Sequence, residues 1–433
     1  MTPRLTIRKS VLTVTAILMT SMQASLQPVW ASESTFSNST VSTSMHSTPT
    51  FEQLLNAYRK QQPLQKTLSG FRQLQSAQQA QAKSWIAGDV NVMVHHETDA
   101  LTDDKDTQNW QVGAEFPVWL PSQKQGVSEL AEVYQENLSI EQAYLNWLAS
   151  GALRQLIWDY QTALAEVQIA EQTLQTSQQL FESIQTKVRL GESALMDSVL
   201  AEQTYLSHKT ALIKQQSNLQ VAKQAYQKWT GFTVLPKSII ETQVSDVSDV
   251  SANLDQHPEI VKSQSQLQVS NVQLRQITSQ KSGQPKLYFG AKQDTLQNET
   301  DTSLVMEVMI PLGMDAGFGV KKAQQQLQVQ QDQAQFEQVV QEIGLKQQQI
   351  SQTLMQLQQS IELTNQQLKL AEQALDMSLK AYQLGEISVQ NLLLIQQQAI
   401  NAKRDAVLAQ HQLGQTIAHY NQISGDILGA TNR

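Results

Sequence analysis

A single shift of 194 residues lays much of one half of the chain on the other. Leu190-Gly191-Glu192 returns as Leu384-Gly385-Glu386, and 385 − 191 = 194. Without a gap, the same shift carries Pro117 onto Pro311, Leu200 onto Leu394, Gln203 onto Gln397, Lys209 onto Lys403, Leu219 onto Leu413, Tyr226 onto Tyr420 and Gly231 onto Gly425. Register held over more than a hundred residues means two copies of one long structural unit.

The N-terminus carries the pattern of a secretory signal over residues 1–31. Arg4, Arg8 and Lys9 form a positive region, Val11 to Met19 a short apolar core, and Val29-Trp30-Ala31 a small-x-small cleavage site, which predicts a mature start at Ser32. That core is too short for a spanning helix, and no later segment has ~18 uninterrupted apolar residues. Removing three basic residues takes the formal charge from −8 to about −11 (−8 − 3), which argues against a nucleic-acid partner. The absence of Cys excludes disulfides, thiolate metal sites and a lipid-modified cysteine. Few aromatics with abundant Gln and Ala suit long helices with wetted faces.

Residues 32–49, rich in Ser and Thr, read as a flexible lead-in. Thr50 with Gln53 makes a capping box for a short helix through Lys60. Pro63 opens a helix to about Trp85, and Pro258 opens its counterpart to about Lys281, with Gly88 and Gly283 ending them. The period then changes to two. Val90, Val92 and Val94 share one face against Asn91, Met93 and His95, and Trp110, Val112, Ala114 and Phe116 alternate with Asn109, Gln111, Gly113 and Glu115. Leu287, Phe289 and Ala291 alternate with Tyr288, Gly290 and Lys292, as Leu304, Met306, Val308 and Ile310 do with Val305, Glu307 and Met309. These are two hairpins of roughly ten-residue strands, with polar loops expected around Asp103-Asp104 and Glu299–Asp301. An ordinary half-buried sheet gives the same alternation, but export and duplication favour outer-membrane strands with one face to lipid and one to water. Pro117 and Pro311 stop the second strand of each hairpin, since proline cannot donate to a ladder.

From Lys124 to Arg189, and from Lys321 to Gln383, the chain is proline-free and helix-forming, long enough for helices on the order of 100 Å. Gly151 and Gly344, at similar depths, mark a bend or close packing. A return helix follows each Leu-Gly-Glu and carries two heptad stripes. In the first copy these are Tyr205, Leu212, Leu219, Tyr226 and Val199, Leu206, Ile213; in the second, Ala399, Ala406, Leu413, Tyr420 and Leu393, Ile400, Val407. Two stripes let a helix contact neighbours on both sides, as a helical tube requires. The organisation is therefore a first repeat over 50–231, a polar linker over 232–253 containing Pro236, a second repeat over 254–425 and a tail over 426–433. Four strands cannot close a barrel, open edges are not tolerated in lipid, and small barrels need about eight strands, so two, three or four chains must pool their hairpins.

The whole pattern after the signal resembles the TolC-type outer-membrane efflux factors, in its export signal, its helix–hairpin–helix–turn–helix repeat and its Leu-Gly-Glu turns. The first copy is most similar to the branch serving cobalt–zinc–cadmium exporters, through Ser150-Gly151, Leu153-Arg154, Trp158, Val188, Gly191-Glu192, Asp197, Leu200-Ala201 and Thr230-Gly231 with Pro236. The resemblance implies a mixed α/β membrane protein, mainly a long α-helical coiled-coil barrel, with four transmembrane β-strands per chain completing a twelve-strand β-barrel as a homotrimer. It further implies an outer-membrane location with a periplasmic helical barrel, a periplasmic membrane-fusion adaptor and an inner-membrane RND-type pump as partners, and heavy-metal cations as cargo.

Gly191 and Gly385 sit where a positive φ would stop each descending helix. By resemblance, Leu190, Gly191, Glu192, Leu384, Gly385 and Glu386 form the tip where the adaptor docks; a helix-reversing turn and nothing more is the plainer role. Ser388 caps the second return helix with Asn391 three residues on, while Ala194 takes the serine's place in the first copy and Asp197 sits at the third helical position. Where the family often places gate aspartates, this chain has Asn391 and Leu394, which favours a polar or apolar constriction; Asp197 is a further gate candidate or, more simply, a carboxylate at a helix N-terminus. In His95-His96-Glu97 adjacent residues point to opposite faces of a strand and cannot chelate together without a partner strand, and His411 and His419 lie eight apart. No zinc spacing, nucleophile elbow or phosphate loop is present, so neither a metal, a cofactor nor catalysis is expected. The reading is a passive exit duct for divalent heavy metals. The alternatives are a drug or small-molecule duct of the same fold, a periplasmic coiled-coil adaptor or structural protein, and a secreted enzyme.

Overall fold

The computed structural model describes residues 48–99, 107–243, 254–296, 299–313 and 315–429. The expected signal, nearly all of the lead-in, the loop at Asp103-Asp104 and the later part of the linker lie outside them. The elements run α1 (Phe51–Gln61), α2 (Thr67–Lys83), β1 (Asn91–Thr98), β2 (Gln108–Pro117), α3 (Pro121–Arg189), α4 (Leu195–Thr230), α5 (Pro258–Ser279), β3 (Lys286–Leu296), β4 (Glu299–Met309), α6 (Phe318–Gln383) and α7 (Val389–Ile423). None of these helices is long and apolar enough to cross a membrane.

Local chemistry sets most boundaries. Thr50 and Gln53 cap α1 reciprocally, Gln53 N–H to Thr50 Oγ1 at 3.2 Å and Thr50 N–H to Gln53 Oε1 at 3.0 Å. Pro63 opens a 3₁₀ turn rather than an α-helix, with α2 beginning at Thr67 and ending at Lys83, short of Trp85. Pro258 occupies the first turn of α5, and the α5 end tightens into a 3₁₀ turn closed by Gly283. Glu299–Asp301 is strand and not loop: Asp301 pairs with Asp294 and Glu299 with Leu296, so the β3–β4 ladder extends to the hairpin end.

The four strands form one antiparallel sheet in the order β1-β2-β3-β4. Directly paired residues of antiparallel strands share a face. Val94 opposes Val112, Val112 opposes Ala291 and Ala291 opposes Leu304, while Ala114 opposes Phe289 and Phe289 opposes Met306. One face is thus apolar across all four strands, and Val92, Val112, Leu304 and Met306 on it are exposed. The other face holds Asn91, Gln111, Glu115, Lys286, Lys292 and Glu307, with Lys286 Nζ 2.9 Å from Glu115. Tyr288 lies buried on that polar face across the paired Gly113 and Gly290, where a Cβ on either glycine would fall 2.5 Å from the tyrosine hydroxyl.

Below the sheet the helices order themselves the same way. α4 packs on α3, α3 on α7 and α7 on α6, while above them α2 packs on α3 and α5 bridges α3 and α6. The largest core cluster joins Leu54 and Tyr58 of α1 to Ala149, Leu153, Ile157 and Tyr160 of α3 and Tyr226 of α4. Gly151 approaches Gln422 closely, as expected; Gly344 has nothing near its Cβ position, and α6 runs through it without a break. The segment expected as a polar linker is tied down in its described part. Phe232, Leu235 and Ile239 pack on the largest core cluster, because apolar residues scattered among Pro and Lys still find the helix seam.

Candidate functional site

The two Leu-Gly-Glu turns are built alike. Gly191 has φ +77° and Gly385 φ +79°, a conformation that a β-branched side chain resists. Each turn closes its helix with a six-residue bond, Glu192 N–H to Lys187 O and Glu386 N–H to Ala381 O, both 2.9 Å. Leu190 and Leu384 project outward with 68% and 76% of their surface exposed, an apolar pair at an end of the molecule where burial would be the default.

The hairpins meet just behind the turns. Leu180 and Ile184 of α3, Ala201 of α4, Tyr382 of α6 and Val389 and Leu392 of α7 make one cluster. Lys187 Nζ lies 4.4 Å above the Tyr382 ring, a cation–π contact between the two repeats. Asp197 is engaged as a cap, accepting from Ser193 Oγ at 2.7 Å and Ala194 N–H at 3.2 Å. Ser388 Oγ accepts from Asn391 N–H at 3.3 Å. Leu394 stands 59% exposed while Leu392 and Leu393 pack inward, so the candidate gate residues are not gathered in the inter-hairpin cluster. Replacing both Gly191 and Gly385 with Val should cost on the order of 1–2 kcal/mol of local backbone strain per turn. The expected outcome is a lower thermal midpoint for the double variant with an unchanged far-UV circular dichroism spectrum, because only the two turns are disturbed.

The histidines separate as strand and helix geometry requires. His95 lies on the polar face, 3.9 Å from Glu97, and His96 on the apolar face, stacked on Trp110 with ring centroids 3.9 Å apart. At the other end of the same face Trp85 stacks on Phe116 at 5.8 Å, so aromatic pairs bracket the apolar band. His411 meets Trp158 edge-on. Among the described residues no group of three His, Asp or Glu could hold a metal ion.

Sequence reasoning missed two buried polar sites. Arg154 is 4% exposed and makes a bidentate pair with Glu241 (Nε–Oε1 3.0 Å, Nη2–Oε2 2.8 Å), a 2.8 Å pair with Asp426 and a 2.6 Å bond to Gln422 Oε1. Burial pushes the Asp426 carboxyl up, and the adjoining guanidinium pulls it back. His257, 1% exposed, caps α5 through Nδ1, which accepts from Glu259 N–H at 3.2 Å. Burial, with a smaller push from Lys346, lowers its pKa to about 4. The one local signal for His257 was its place before Pro258 and three residues before an apolar run.

No protein-family model and no curated protein sequence matches the chain. Solved structures do. CusC, whose structures describe conformational changes accompanying folding and transmembrane channel formation, is 17% identical, with a TM-score of 0.70 over 87% of this chain and 94% of that one. The outer membrane protein VceC from Vibrio cholerae is 14% identical, TM-score 0.69, covering 87% and 96%. The open state of the Neisseria gonorrhoeae MtrE outer membrane channel is 14% identical, TM-score 0.67, covering 89% and 91%. At such identities the likeness speaks for architecture, and the chain has the fold of these outer-membrane channel proteins.

Proposed function

We propose that the chain is the outer-membrane component of an efflux system, a passive trimeric duct that spans the outer membrane and the periplasm. One observation carries this: at every level the same two flanks are open. β1 and β4 are the sheet edges, α2 and α4 flank α3 on one side, and α6 closes the other. A four-stranded sheet with an exposed apolar face needs further strands to close in lipid, and repetition of this unit around an axis supplies them.

The helical flanks match in register. Val199, Leu206 and Ile213 on α4 are 50–62% exposed, and Leu363, Leu370 and Met377 on α6 are 60–65% exposed. Counted from the tip glycines 191 and 385, the stripes stand at the same depths: eight, fifteen and twenty-two residues. Equal depth on helices of equal rise lets α4 of one chain lie against α6 of the next. In this Cys-free chain, Leu206→Cys with Leu370→Cys should form intermolecular disulfides that give trimers on non-reducing gels. Monomers only, or cross-linking within one chain, would defeat the arrangement.

The Leu-Gly-Glu turns, with exposed Leu190 and Leu384, are proposed as the docking tip for a periplasmic adaptor that couples the duct to an inner-membrane RND-type pump. Nothing in the duct asks for catalysis. Divalent heavy-metal cations are proposed as cargo on the branch resemblance. Among the residues that carry it, Gly151, Arg154 and Trp158 pack α3 against α7 and hold the wall, so selection is assigned to the pump. A deletion strain should then lose tolerance to cobalt, zinc or cadmium and regain it from a plasmid copy. Drug sensitivity with unchanged metal tolerance would replace the metal cargo and leave the duct.

A further inference from the structure

The two ends of the sheet carry opposite charge. At the hairpin ends stand Glu97, Asp99, Asp294, Glu299 and Asp301 against Lys292. At the other end, the segments that join strands to helices (83–90, 118–124, 281–286 and 310–322) hold Lys83, Lys124, Lys281, Lys286, Lys321 and Lys322 against Asp89 and Asp315. A chain of formal net charge −8 thus gathers cations into one belt, at the helical edge of the exposed apolar face.

Most of these lysines are engaged within the chain. Lys124 Nζ donates to Ser84 O at 2.6 Å, Lys286 pairs with Glu115 at 2.9 Å, Lys321 lies 3.6 Å from Asp315, and Lys322 is half-buried. Lys83 and Lys281 are exposed, and neither makes an ion pair among the described residues. The duplication gives them equivalent places. Lys83 is the last residue of α2, and Lys281 lies in the 3₁₀ turn that ends α5. Each also has an exposed apolar side chain close by. Trp85, two residues after Lys83, stacks on Phe116 of the apolar face. A Cβ on Gly313 would fall 2.9 Å from Lys281 O, which sets Lys281 against the segment holding the exposed Leu312. Lysine beside apolar groups at the edge of an apolar band suits a membrane–water boundary, where the stem stays in hydrocarbon and the ammonium reaches the head groups. Because α5 lies between α3 and α6, Lys281 is not on a flank left to a neighbouring chain.

We infer that this belt is a docking surface for anionic phospholipid head groups, held through Lys83 and Lys281, at the helical edge of the apolar band. The inference rests on the outer-membrane reading of the sheet. The carboxylates at the hairpin ends repel the same head groups, so the preference belongs to the helical edge alone. Native mass spectrometry of the purified full-length protein in a mild detergent tests it, with phosphatidylglycerol and phosphatidylcholine of the same acyl chains added in equal amounts. Phosphatidylglycerol should be retained in preference. Lys83→Gln with Lys281→Gln should lower the retained ratio about fivefold, the effect of one basic residue beside an anionic surface. Lys83→Arg with Lys281→Arg should keep the ratio, and so should Asp294→Asn with Asp301→Asn at the hairpin end. Equal retention of the two lipids, or a preference unchanged by Lys83→Gln with Lys281→Gln, would overturn the inference and leave the duct. Loss of the oligomer in that variant, with the lipid preference intact, would assign the lysines to contact between chains and overturn it too. Retention of neither lipid by a protein that stays soluble without detergent would overturn the duct reading and this inference with it.

Discussion

Replacing Arg154 with alanine should destabilise the chain by roughly 3–5 kcal/mol, because it removes one member of a buried ionic cluster and leaves the others behind. The guanidinium is 4% exposed and faces two carboxylates, Glu241 at 10% and Asp426 at 21% exposure. Asn421 Nδ2 also reaches Glu241, at 3.1 Å, so loss of the cation would leave that carboxylate facing a neutral donor in place of a guanidinium. The cluster joins the middle of α3, the segment after α4 and the end of α7, so its loss should loosen the midsection and not the tip. Arg154→Lys should restore little, since a single ammonium cannot reproduce the fork that meets Glu241 bidentately and Asp426 and Gln422 besides. Arg154→Met combined with Glu241→Gln and Asp426→Asn should recover most of the stability, because no charge is then stranded. Thermal unfolding of the wild type and the three variants in one detergent checks this; equal midpoints for the wild type and Arg154→Ala would show that the cluster contributes nothing.

Acidification should weaken the fold through His257. The folded protein holds this imidazole near a pKa of about 4 against an ordinary 6.5, chiefly by burial. The unfolded chain therefore takes up a proton as pH falls through 6.5 while the folded chain does not, until about pH 4. The stabilisation is fully present above pH 6.5 and is lost progressively between 6.5 and 4, with a total of about 3 kcal/mol per chain. His257→Asn keeps a neutral cap for α5 and removes the titration. Its thermal midpoint should fall less between pH 7.5 and 4.5 than that of the wild type, the common contribution of other groups cancelling in the comparison. Parallel pH profiles for the two proteins would contradict the assignment.

Local and periodic features were legible in the residues. Helix lengths, the paired turns at Gly191 and Gly385, the Thr50–Gln53 cap and the apolar face through Val92, Val112, Phe289 and Met306 each depend on neighbours a few residues away or on a fixed period. Small misplacements came where two local signals competed. Glu299–Asp301 has a loop's polarity, but cross-strand pairing with β3 keeps it in the ladder, and Pro63 fits a 3₁₀ turn as well as an α-helix. Arg154 and Glu241 are 87 residues apart, and Arg154 and Asp426 are 272 apart, so no local pattern announces their meeting.

The heptads mark the division most clearly. Val199, Leu206 and Ile213 have the same spacing as Leu393, Ile400 and Val407, and the duplication makes the two sets equivalent in sequence. In the folded chain the second set is half-buried, and the first set is exposed. The reason is position: α7 lies between α3 and α6, whereas α4 has α3 on one side and a free flank on the other. Periodicity by itself determined that each return helix carries two contact stripes. Which stripe is satisfied within the chain depends on the lateral order of the helices, and only the tertiary packing decided that order.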